Sequence, residues 1–145
     1  MPELHLQLKQ AKPDFQQQIE PDLQQFAHQW VCDIQPIDDG YLLLPEVMMR
    51  KHGIFVFFIE EGCKVCREED ATSWEDFLLM NLAHTLAERH NAILKIDGEG
   101  KSIDVAPDNY ATFDHYVETV LERYDDVVKD MKKYWLYTHR NRSLR

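Results

Sequence analysis

Residues 53–70 read GIFVFFIEEGCKVCREED. Ile54 to Ile59 is a six-residue apolar run, rich in aromatic residues and without a polar interruption, and it predicts a strand lying centrally in a sheet. The run breaks at Glu60 and leads through Glu61 and Gly62 into Cys63-Lys64-Val65-Cys66. Three roles compete for this pair: working thiols, half of a metal site, or two cysteines at the end of a strand.

Downstream, Thr72-Ser73-Trp74-Glu75 has the form of a capping box, in which hydroxyl and carboxylate reciprocally satisfy unpaired N–H groups at a helix start. A helix is expected from Ser73 to His90, with Trp74, Phe77, Leu78, Leu82 and Leu86 on its apolar side. Ile93 to Ile96 and Ser102 to Val105 then flank Gly98-Glu99-Gly100-Lys101, which reads as a β-hairpin. Beyond Pro107, Phe113, Val117, Val120, Tyr124, Val127, Met131 and Tyr134 step by four and three in alternation. That spacing predicts a long helix over 112–136, and the flanking Tyr116, Leu121, Val128 and Trp135 widen its apolar seam enough to pack over a sheet and leave surface for a partner.

Upstream, Asp38-Asp39-Gly40 signals a turn, and Tyr41 to Leu44 a short strand stopped at Pro45. Pro13 and Pro21 each fit the first turn of a helix. Leu23, Phe26, Ala27, Trp30 and Val31 fall on one face of a helix over 21–32, preceded by a short helical turn over 13–20. The expected fold is therefore α+β: an N-terminal helix, a small mostly antiparallel sheet, a middle helix, a β-hairpin, and a long C-terminal helix packed on the sheet.

A chain of 145 residues is the usual size of one domain, so 1–145 is read as one, with 1–12 flexible and 137–145 a basic tail. The first ten residues carry no apolar h-region, and three cysteines without a secretory signal point to reduced thiols and a cytoplasmic protein. Residues 1–128 hold 10 Lys and Arg against 25 Asp and Glu, a net −15, whereas 129–145 hold 6 against 1, a net +5. An acidic body repels nucleic acid and anionic membranes and steers encounter with basic proteins, although acidity also serves plain solubility. The basic tail has a similarly simple role, since cations favour a helix C-terminus.

A Cys-x-x-Cys after a buried strand, here FVFFIEEGCKVC, resembles the thioredoxin-like family. The resemblance would make Cys63 and Cys66 catalytic in thiol-disulfide exchange. Against it, REEDAT separates the pair from the helix cap, and Glu61, Glu68, Glu69 and Asp70 would raise a thiol pKa. Pro107, the sole proline after the pair, leads into a helix rather than a strand pair. A structural zinc would need four ligands, and His28 and Cys32, at i and i+4, could complete a set with Cys63 and Cys66. An exposed histidine and a core cysteine explain that spacing more simply, so no metal and no cofactor is expected. Gly98 to Lys101 is too short for a phosphate loop, and the carboxylate pairs Asp38/Asp39, Glu68/Glu69 and Asp125/Asp126 read as solvated. With Val65 turned inward, a double Cys63→Ser, Cys66→Ser protein should keep its fold and its partner.

The order of elements, with LLMNLAHTLAERHNAILKIDGEGKSIDV and a later amphipathic helix ending in KKYW, resembles the type III secretion chaperone family over residues 74–136. The first half departs from that family, showing two clear strands where the family has three, with the cysteine pair at the place of the third. The resemblance implies a dimer that holds a client segment on apolar surface, without catalysis or ATP. The rival is an inhibitor or immunity protein whose acidic face occludes a basic toxin or nucleic-acid enzyme. Either way the chain is a non-catalytic protein-binding module. The candidate contacts are Val120, Tyr124, Met131 and Trp135 on the long seam and Glu68, Glu69 and Asp70 in the acidic run, with homodimerisation through the long helix or the sheet as a further possibility.

Overall fold

A computed structural model describes residues 3–8, 15–45, 53–60, 62–67, 73–98 and 101–105. The chain divides into two compact units, 1–107 and 108–145, and all of the described residues belong to the first. Its elements are β1 (Glu3–Leu8), α1 (Phe15–Gln29), β2 (Cys32–Ile37), β3 (Gly40–Pro45), β4 (Ile54–Ile59), β5 (Gly62–Arg67), α2 (Ser73–His90), β6 (Ala92–Gly98) and β7 (Lys101–Val105). The strands form a seven-stranded sheet in the order β2-β3-β4-β5-β1-β6-β7. Every neighbouring pair is antiparallel. The fold is α+β, as the periodicities predict. No described helix is long and apolar enough to cross a membrane.

Directly paired residues point to the same side of a sheet, so register assigns the faces. Tyr41, Val56, Val65, Leu4 and Ile96 form one row across five strands. Phe58, Cys63, Leu6, Leu94 and Val105 form the next. Leu4, Leu6, Ile54, Val56, Cys63, Val65, Leu94 and Val105 are all within 1% of complete burial, which makes this inner face the core. Both helices lie against it. Arg67, paired with Ile54 on the inner face, reaches Asp76 of α2, and the Tyr41 hydroxyl donates to Glu20 of α1. The helices run antiparallel to each other: Trp30 meets Phe77 edge-on, with centroids 5.7 Å apart, and Phe15 meets His90 at 5.5 Å.

Four expectations change. Glu3–Leu8, expected among twelve flexible residues, is a strand paired on both sides, because Leu4, Leu6 and Leu8 alternate with Glu3, His5 and Gln7. The helical turn over 13–20 and the helix over 21–32 are one helix, Phe15–Gln29, with Pro21 inside it. Phe15, Ile19, Leu23, Phe26 and Ala27 keep one buried face across the proline, and Pro21 and Gln17, whose carbonyl loses its donor, lie on the exposed side. The helix ends before Cys32, which opens strand β2. The cysteine pair, read as working thiols, half a metal site or the end of a strand, lies inside a strand of its own, β5. The helix expected over 112–136, and with it the homodimer seam, lies outside the described residues.

Both helices hand over to a strand through a residue in the left-handed region, Val31 at φ 53° and Asn91 at φ 52°. Asparagine tolerates that conformation, whereas a β-branched side chain does not. Val31 is also 53% exposed, so it regains little by burial. Val31→Gly should raise stability by about 1 kcal/mol in urea denaturation. Leu6→Ala, on the strand expected to be flexible, should cost about 2–5 kcal/mol, and a cost under about 0.5 kcal/mol would show β1 to be dispensable.

Candidate functional site

Strand parity decides the cysteine question. Residues three apart on a strand face opposite ways. Cys63 pairs with Leu6 and Phe58 on the inner face, whereas Cys66 pairs with Phe55 on the other. The two thiols therefore lie on opposite sides of the sheet and cannot close a disulfide or bind one ion together; none of the three cysteines is in a disulfide. Cys63 is completely buried, and the loss of solvation pushes its thiol well above the ordinary range, the reverse of an activated nucleophile. The alternative zinc set fails on the same ground, with an addition: His28 is exposed on α1 and Cys32 lies in β2, so they do not share a helix face. Among the described residues, no group of three or more His, Cys, Asp and Glu side chains is placed to hold a metal.

Raised above its unfolded value, the Cys63 pKa contributes stability that is full below the unfolded pKa of roughly 8.5 and is lost as pH rises beyond it. Stability should thus decline above that pH, and Cys63→Ala should remove the part of the decline that begins there, leaving the part at higher pH from Tyr41, whose pKa burial and Glu20 also raise. In the native protein a thiol reagent should modify half-buried Cys66 and spare Cys63 until the chain unfolds. The double serine variant should still fold, but the Cys63→Ser hydroxyl in an apolar layer should cost about 1–3 kcal/mol.

The polar groups that the fold brings together are ion pairs between elements. Arg67, at the end of β5, holds Asp76 in the first turn of α2 through Nε and Nη2, the latter at 3.3 Å; both side chains are about 95% buried. Five residues separate Arg67 from Ser73, so this pair staples the helix start to the strand that precedes it. Asp22 of α1 accepts from Arg89 Nη1 at 2.5 Å and from His90 Nε2 at 2.7 Å, clasping the far end of α2. Asp76→Asn should destabilise by about 3 kcal/mol because it removes the charge that faces a buried guanidinium. The double change Arg67→Met, Asp76→Leu should recover most of that loss. Failure of the double change to recover stability would place the cost elsewhere than in the broken pair.

The opposite face of the sheet carries the surface the sequence did not single out. Leu42, Phe55 and Cys66 form one row on it, and Phe57, Lys64, His5, Lys95 and Asp104 another. Phe55 and Phe57 stack with centroids 5.5 Å apart and planes within 6°. Ile59 on the same face is 38% exposed, and Leu42, Leu44, Phe55 and Phe57 are half-buried. Neither described helix packs on this side. The apolar half thus lies over β3 and β4 and the cationic half over β5, β1 and β6. The alternation of Ile54, Val56 and Phe58 with Phe55, Phe57 and Ile59 was hidden because both sets are apolar.

Asp38 and Asp39 occupy the exposed turn between β2 and β3, and Gly98 to Lys101 joins β6 to β7, as read from the sequence. Val120, Tyr124, Met131, Trp135, Glu68, Glu69 and Asp70 lie outside the described residues. The fold and its surfaces define the class as an α+β protein with an antiparallel sheet covered on one face by two helices. No family model, curated protein or solved structure matches the chain.

Proposed function

We propose that this chain is a non-catalytic, cytoplasmic protein-binding module that holds a partner segment on apolar surface, in the manner of a secretion chaperone. The observation that carries this reading is the aromatic half of the outer sheet face, where stacked Phe55 and Phe57 lie among Leu42, Leu44 and Ile59. A stacked aromatic pair offers large contact area at little conformational cost, and apolar anchors of this kind dominate binding energy. The order of helix, strands, helix and strand pair supports the chaperone version, and β5 supplies a strand at the cysteine pair. It differs by a strand before α1 and by four strands, rather than three, between the helices.

The inhibitor version rests on a different observation, the net −15 of residues 1–128. The two make opposite demands on salt. A chaperone-type client held by apolar contact should bind with little dependence on ionic strength, whereas a basic toxin docked on an acidic face should associate more slowly as salt rises.

The test is capture of the partner from the native host by the tagged full-length chain, followed by association kinetics on the purified pair. On the chaperone reading, Phe57→Ser weakens binding about tenfold or more, the loss of one apolar anchor worth roughly 1.5–3 kcal/mol, while circular dichroism stays unchanged. Binding that ignores Phe57→Ser and falls steeply with salt would replace this reading with the inhibitor. Turnover of a disulfide substrate that is lost in Cys66→Ser would overturn both.

A further inference from the structure

No further inference is drawn: the strongest candidate, the row of Lys64, His5 and Lys95 that crosses the outer sheet face beside the stacked Phe55 and Phe57 rings, belongs to the face already proposed as the binding surface, and nothing among the described residues shows what covers it.

Discussion

The two hydrogen-bond ladders flanking β1 are the constraint on which the described fold depends, because β5 and β6 are joined through α2 yet never pair with each other. Both run antiparallel to β1 and hence parallel to one another, so β5-α2-β6 is a crossover whose two strands are held apart by the first strand of the chain. Two strand spacings make roughly 9.5 Å, and a helix with its side chains is about 10 Å across, so α2 fits over the gap that β1 fills. The contacts of α2 with β6, β1 and β5 follow from this placement. Without β1 the four-strand meander β2 to β5 and the hairpin β6-β7 would share only a helix.

The same helix α2 is buried nearly all round, from Glu75 to Ala87 with Thr85 half-buried, on the side away from the sheet as well as on the side that meets it. A helix in that position normally becomes apolar on every side. This one keeps Glu75, Asp76, Asn81 and His84 buried. Asp76 is answered by Arg67, and both first-turn acids sit where the helix dipole favours negative charge. The buried Nδ2 of Asn81 finds no hydrogen-bond partner among the described residues, and an unmade bond of that kind costs stability. At its other end, α2 is fixed by Asp22, which draws Arg89 and His90 towards α1.

What the sequence made legible depended on whether one physical signal acted alone. The run from Ile54 to Ile59, the helix from Ser73 and the glycine-bounded hairpin each carried a single consistent pattern, and each is found where it was expected. Where two signals competed, the louder local one misled. Pro21 suggested a helix start, but the apolar spacing from Phe15 to Ala27 continues through it, and the burial of that face outweighs a proline cost of roughly 3 kcal/mol. In β1 three leucines alternate with polar residues over only six positions, a strand signal too short to stand out until its partners on both sides are known. Inward-facing Cys63 and Val65 and outward-facing Lys64 are the same alternation, obscured by the chemistry that cysteines suggest.

The candidate site was least legible because a motif has meaning only in a backbone conformation. On a helix, Cys-x-x-Cys places two sulfurs on one face and close to a positive N-terminus; on a strand the same spacing puts a sheet between them. Once β5 is a strand, Cys63 becomes a small apolar side chain of the core, raised in pKa by its burial, and Cys66 a member of the outer surface. The same parity, carried one strand over, turns Phe55 and Phe57 to that outer surface and Val56 to the core. Strand register thus moves the functional interest of residues 53–70 from the thiols to the rings. If that outer face binds a partner, as proposed, its occupant has to supply apolar contact to Phe55 and Phe57.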